Sequence, residues 1–176
     1  CSTTVPRICG DRLDEPIRNI SSICVTPWKA TRELRMRGVF EACANQGVEL
    51  DARLVPNTGQ DWTIGSGARM TQHIVDSGIP FDGIVAFNDQ LALGALFTLA
   101  ANGIAVPDRV QVIGFDNNEE SAYFQPPLTT MDSCLDWIAP TAVSRIIDRI
   151  SGSRVLQPEP DHHADPRRLA RATTCA

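Results

Sequence analysis

The sequence predicts an α/β fold organised on a doubly wound parallel sheet. Three observations carry that expectation. Short apolar runs alternate with longer segments whose apolar residues recur at helical spacing, glycines stand where those helices would end, and the order β-α-β-α-β-α-β holds from Ile20 to Phe115.

The elements follow in order. Ile20-Ser-Ser-Ile-Cys-Val-Thr26 is a strand-like run. From about Thr31 to Gln46, Met36, Val39, Phe40 and Cys43 recur at helical spacing, and Gly47 supplies the stop. Val48, Leu50, Ala52 and Leu54 alternate with Glu49, Asp51 and Arg53, the pattern of a half-buried strand. After the loop Pro56–Asp61, a second helix is expected from about Thr63 to Ser77, ended by Gly78. Asp82–Phe87 reads as a third strand and Asp89–Asn102 as a helix closed by Gly103. That helix is apolar around nearly its whole circumference, so it must be buried on more than one side, with a partner subunit one candidate for the second. Pro107-Asp-Arg turns the chain into a fourth strand, Val110–Phe115.

Beyond Asp116 the rhythm breaks. Asn117–Gln125 is polar and reads as a loop with a short helical turn. Pro126-Pro-Leu-Thr-Thr130 reads as an extended crossing segment, because each proline biases the residue before it away from helix. An amphipathic helix is expected over about Ser133–Ile150, with Ile138, Ala142, Ile146 and Ile150 on one stripe. The remainder is poor in apolar residues apart from a possible strand at Val155-Leu156. No internal repeat is present.

Composition narrows the function classes. With 43 % hydrophobic and 21 % charged residues among 176, the chain has the make-up of a soluble globular protein and is long enough to bury a core. No apolar run approaches a membrane-spanning length. Cys1–Gly10 lacks the basic start and long apolar middle of a signal peptide, and the chain begins without Met, which reads as processing or truncation. The net charge of −5 argues against DNA binding by this piece alone, since phosphate contact needs a basic face; the densest basic group, Arg167, Arg168 and Arg171, reads as a solvated tail. The six cysteines include no C-x-x-C pair, so a zinc or redox motif is not expected and a reducing cytoplasm is the simplest setting.

In an open parallel sheet, ligands bind beyond the carboxyl ends of the strands. Asn88 and Asp89 follow the third strand and Asp116 the fourth. A carboxylate and a carboxamide converging on one crevice can hold vicinal hydroxyls, which is sugar-type chemistry. Trp62 offers an indole face to a sugar ring, and Arg35 offers planar, forked donors. Each has a plainer role open to it. Asn88 suits a helix N-cap, Asp116 an Asx-type turn, Trp62 the core or an interface, and Arg35 a solvated helix surface. Catalytic readings are weaker. His73 reads as a core-edge residue, and His162 and His163 lie with Asp161 and Asp165 in the tail without the rigid frame a metal site needs. No G-x-S-x-G elbow, H-E-x-x-H or phosphate-cradling loop appears, so neither a catalytic residue, a metal nor a cofactor is expected.

Five strings then agree in order and spacing. Arg35-Met-Arg-Gly-Val-Phe-Glu-Ala42, Phe87-Asn-Asp-Gln-Leu-Ala-Leu-Gly-Ala95, Gly103-Ile-Ala-Val-Pro-Asp108, Val112-Ile-Gly-Phe-Asp116 and Pro126-Pro-Leu-Thr-Thr130 together resemble the effector-binding domain of the LacI/GalR family of bacterial transcriptional regulators. The resemblance spans about Ile20 to Gly152. It implies a periplasmic-binding-protein-like domain with one lobe largely complete and the other mostly missing. The expected divisions are an N-terminal remnant over 1–19, the C-terminal lobe over 20–132, a helix of the other lobe over 133–152, and a tail over 153–176. Arg35, Asn88 and Asp116 fall where the family places effector contacts, and Trp62 where one member has an aromatic contact. The helix after Asn88 and the loop around Tyr123 fall at the family's dimer interface, which implies a homodimer through the Leu91, Leu93 and Tyr123 region.

The resemblance thus implies a non-enzymatic, cytoplasmic, sugar-sensing and dimerisation module. Its effector would be a mono- or disaccharide, and operator DNA would be reached only through a segment absent from this sequence. Where one member of the family carries polar and aromatic residues after Pro-Pro-Leu-Thr-Thr, this chain has Ser133 and Leu135, which leaves the sugar open. Three rivals remain. One is a periplasmic-type sugar-binding protein of the same fold, which needs a signal sequence. Another is an enzyme on a doubly wound fold, which needs a nucleophile–base pair or a cofactor fingerprint. The last is a remnant that dimerises and binds nothing.

Overall fold

The computed structural model describes residues 19–23, 29–48, 50–56, 61–152 and 169–170. Short apolar runs form its centre. Strands β1 (Ile20–Ile23), β2 (Gly83–Ala86), β3 (Gln111–Asp116) and β4 (Thr129–Asp132) lie side by side in that order, all parallel. A two-residue strand, β5 (Leu169–Ala170), runs antiparallel along the outer edge of β4. The register pairs Ile23 with Ala86 and Asp116 with Asp132, so the carboxyl ends of the parallel strands share one rim.

Among the described residues four α-helices accompany the sheet: α1 (Lys29–Asn45), α2 (Ile64–Asp76), α3 (Asp89–Ala101) and α4 (Leu135–Ile150). Local chemistry sets the limits of α2 and α3. The Thr63 hydroxyl oxygen accepts from the Ser66 amide at 3.2 Å, and the Asn88 side chain caps α3 in the same way. Past their last turns, Gly78 and Gly103 take the left-handed conformation, at φ +68 and +67, that ends a helix without a side-chain clash.

The core lies where α2 and α3 meet the sheet. Met70 and Ile74 of α2, Leu91, Ala92, Ala95 and Leu99 of α3, and Ile84, Ala86, Val112 and Leu128 from the sheet and its margins are all buried. Full burial of each larger side chain stabilises the fold by about 1.5–3 kcal/mol. Most of the all-round apolarity of α3 is explained within the subunit, since one side packs on β2 and β3 and the next on α2, while Phe97 is left exposed. The Thr98 hydroxyl of α3 donates to the Ala68 carbonyl of α2 at 3.2 Å.

Several expectations are corrected. The described residues of the stretch 48–54 form no strand; the Asp51 carboxylate accepts from the Arg53 amide at 2.8 Å and pairs with its guanidinium, and a 3-10 turn follows over Ala52–Leu54, packed against β1. These local bonds compete with a ladder. Leu91 and Leu93, expected at a subunit interface, are sealed in the chain's own core, whereas Phe97 and Tyr123 stand exposed. His73 is exposed and not at a core edge. The strand β5 was not anticipated, and Val155-Leu156, Cys24, His162 and His163 lie outside the described residues. The helix α4 forms as expected, but none of its residues is buried, and Trp137, Ile146 and Ile150 of its apolar face are 50 %, 60 % and 81 % exposed.

Candidate functional site

The rim at the carboxyl ends of β2 and β3 collects all four side chains singled out from the sequence. The turn out of β2 delivers Phe87 and Asn88, the last residue of β3 is Asp116, α1 contributes Arg35, and the segment leading into α2 contributes Trp62. Arg35 is the hub. Its Nη1 donates to the Phe87 carbonyl, its Nη2 lies 3.9 Å from Asp116 Oδ1, and its guanidinium stacks 4.0 Å from the Phe115 ring centre and 5.5 Å from that of Trp62. Asn88 ties the rim together: its Oδ1 accepts from the Leu91 amide at 2.9 Å while its Nδ2 donates to the Trp62 carbonyl at 3.3 Å. The plainer role foreseen for Asn88, the N-cap, is therefore present. It leaves the carboxamide one N–H and one lone pair for anything else.

Burial sets the electrostatics. It lowers the Arg35 pKa from its ordinary value, with the Asp116 charge opposing that shift; a guanidinium stays protonated regardless. Burial raises the Asp116 carboxyl, Arg35 pulls it back down, and the nearby Asp89 charge pushes it up again. The two side chains are 24 % and 33 % exposed, so they remain partly open to solvent and are not sealed in the core.

The backbone at this point is strained. Asp116 has φ +115 and Asn117 φ +59, a region that residues with a side chain rarely adopt. Such conformations cost about 1–3 kcal/mol each and concentrate at binding and switching sites. Sequence reasoning missed what holds them. Asp89, noted only as a polar residue after a strand, is fully buried and accepts hydrogen bonds from the Asn118 amide, Ser121 and Thr130. Nothing in the residue types of Ser121 or Thr130 signals that role. Phe115, the nearer ring under Arg35, shows in the sequence only as a strand residue. Beyond the strand, the Ser133 hydroxyl donates to the Asp116 carbonyl at 3.3 Å and links the rim to the segment that enters α4.

Chemically, the rim pairs a forked cation with a carboxylate beside two aromatic faces. That set is chemically able to take a polyhydroxylated ligand, since hydroxyls can bridge a guanidinium and a carboxylate and ring C–H surfaces can lie on aromatic faces. Among the described residues no group of three His, Cys, Asp or Glu side chains is arranged to hold a metal ion.

The sequence profile of the periplasmic binding protein-like domain matches residues 13–174. The chain belongs to that family. Its relatives in this family are regulators of the LacI type. It is 32 % identical over 125 residues to the HTH-type transcriptional regulator AscG of Escherichia coli, an alignment covering 71 % of this chain and 37 % of that protein. A sugar-binding transcriptional regulator of the LacI family from Escherichia coli, crystallised with phosphate, superposes with a TM-score of 0.73 at 29 % identity, over 81 % of this chain and 51 % of the other. The transcriptional regulator CelR in complex with cellobiose superposes with a TM-score of 0.69 at 28 % identity, over 77 % and 41 %. The chain therefore spans about half the length of these relatives or less. The periplasmic-binding-protein-like α/β fold foreseen from the sequence strings is the fold observed, and the family profile begins at residue 13, ahead of the Ile20 start inferred from those strings.

Proposed function

We propose that this chain is the effector-sensing and dimerisation module of a LacI-type transcriptional regulator and that its effector is a mono- or disaccharide. The observation that carries the reading is the convergence of Arg35, Trp62, Asn88 and Asp116 on one rim of a parallel sheet. The relatives are regulators and repressors, which favours this reading over a transport-associated binding protein or an enzyme. CelR, whose structure holds cellobiose, supports a sugar as the class of effector.

In this reading residues 20–132 form one lobe of a two-lobed domain. Residues 133–152, with the uncovered α4, belong to the other lobe, and DNA is gripped by a segment outside the 176 residues. The sugar lies across the rim and favours one lobe arrangement by its differential affinity for the two. Dimerisation uses the exposed end of α3 at Phe97 and the loop at Tyr123. The setting is the cytoplasm.

The direct test is titration calorimetry of the chain against glucose, galactose, lactose and cellobiose, repeated with Asp116→Ala. One sugar should bind the unsubstituted chain, and Asp116→Ala should weaken it by about tenfold or more, the scale of one charge-assisted hydrogen bond. Equal heats in the two proteins would remove Asp116 from the site.

A further inference from the structure

Asp89 is the first residue of α3, yet its side chain turns inward and is 0 % exposed. A first-turn carboxylate would ordinarily sit in solvent and complement the helix dipole. Here both oxygens are engaged by a different part of the fold. Oδ2 accepts from the Asn118 amide at 2.7 Å and from the Ser121 hydroxyl at 2.8 Å, while Oδ1 accepts from the Thr130 hydroxyl. Thr130 Oγ1 in turn accepts from the Asn117 amide at 3.3 Å. The two left-handed residues, Asp116 and Asn117, are thus fastened at Asn117 through Thr130 and at Asn118 directly, and both fastenings end on one carboxylate. The β3 backbone presses against it as well, since a Cβ at Gly114 would come within 2.2 Å of Asp89 Oδ1.

We propose that Asp89 is the positioning residue of the rim: its buried carboxylate holds the strained Asp116–Asn117 turn and ties it to β4, so that Asp116 faces the effector only while Asp89 is in place. Thr130 lies three residues before Ser133, so the same carboxylate joins the effector rim to the strand that leads out of the lobe toward α4. Asp89 touches no effector; it acts through Asp116. The inference builds on the sugar-site reading, but its first test needs no ligand.

That test is residue-resolved amide hydrogen exchange by NMR on the full chain and on Asp89→Asn, Ser121→Ala and Gly114→Ala. Asp89→Asn is expected to speed exchange at Asn117 and Asn118 by about tenfold or more, with a smaller rise at the same two amides in Ser121→Ala. Gly114→Ala, which displaces the carboxylate without removing its charge, should reproduce the Asp89→Asn pattern. Unchanged exchange at Asn117 and Asn118 would overturn the proposal, and so would a uniform rise that takes β2 and the middle of α3 with it. Should Asp89→Asn fail to fold, Ser121→Ala decides by the same two amides. In the second arm, whichever of glucose, galactose, lactose or cellobiose binds the unsubstituted chain is titrated into Asp89→Asn, and about tenfold weaker binding is expected. Unaltered affinity there, alongside lost binding in Asp116→Ala, would also overturn it. If Asp116→Ala binds normally, the sugar-site reading fails, while the exchange pattern still judges Asp89.

Discussion

At Asp116 the backbone and the side chain both carry a cost. The residue sits at φ +115, and burial raises its carboxyl from the ordinary value more than Arg35 restores it. A carboxyl whose folded pKa is raised stabilises the fold only while it is protonated; that contribution is complete below the unfolded value and is lost as pH rises through the folded one. Asp116→Asn, which keeps the shape without the charge, is therefore expected to melt at a higher temperature than the unsubstituted chain at neutral pH. The gap should close as pH falls through the raised folded value and on to below the ordinary carboxylate range. Thermal unfolding at neutral pH and below that range checks this; a lower melting temperature for Asp116→Asn at neutral pH would mean that the Arg35 attraction outweighs burial. Arg35 makes a second prediction. Its guanidinium donates to Phe87 and stacks on Phe115 at once, and a lysine ammonium reproduces the charge but not the planar fork. Arg35→Lys should weaken binding of the sugar found by calorimetry by about tenfold, the scale of one charge-assisted bond, with the fold retained by circular dichroism.

Elements meet most closely where α2 crosses α3. A Cβ at Gly94 would fall 2.1 Å from the Ile64 carbonyl oxygen and 2.6 Å from the Ala68 amide, which are backbone atoms that cannot swing aside. Gly94→Ala should force the two helices apart and lower stability by at least about 1–3 kcal/mol, the usual cost of overpacking; a shift of the urea midpoint measures it. Thr63→Ala, which only removes the α2 cap, should cost about 1 kcal/mol. The same contrast explains what the sequence disclosed. Thr63, Asn88, Gly78 and Gly103 act on their nearest neighbours, so the ends of α2 and α3 were legible. The stretch 48–54 was not, because its alternation is equally well served by the Asp51–Arg53 pair, whose bonds span two residues. Leu169–Ala170 offers too few residues to show any period; only its place beside Met131 and Thr130 makes it a strand. At the rim, Arg35, Trp62, Asn88 and Asp116 could be read from strand ends and known strings. Asp89 could not, since a carboxylate in a first turn looks solvated until its three distant partners are seen.

On the scale of the whole molecule, two of the apolar regions left uncovered among the described residues bear on assembly. In the C-terminal half of α3, Phe97 is 66 % exposed, and Tyr123, just past the turn that Ser121 fastens to the N-terminal end of that helix, is 78 % exposed. If these residues join two subunits, Phe97→Glu should convert a dimer to a monomer in sedimentation velocity without changing the far-ultraviolet dichroism; an unaltered sedimentation coefficient would place the contact elsewhere. The other surface is α4, where Trp137, Ile138, Val143, Ile146, Ile147 and Ile150 all stand open. A ridge of that kind takes up environment-sensitive dyes in the native state, as partly unfolded proteins do. Dye-based melting curves of this chain would therefore begin bright and climb little, understating its order. Intrinsic tryptophan emission reports unevenly, because Trp137 already stands in solvent at half its area while Trp62 packs partly buried against the core. Calorimetric scanning, which counts heat instead of oiliness, is the fair gauge of how well the rest of the chain holds together.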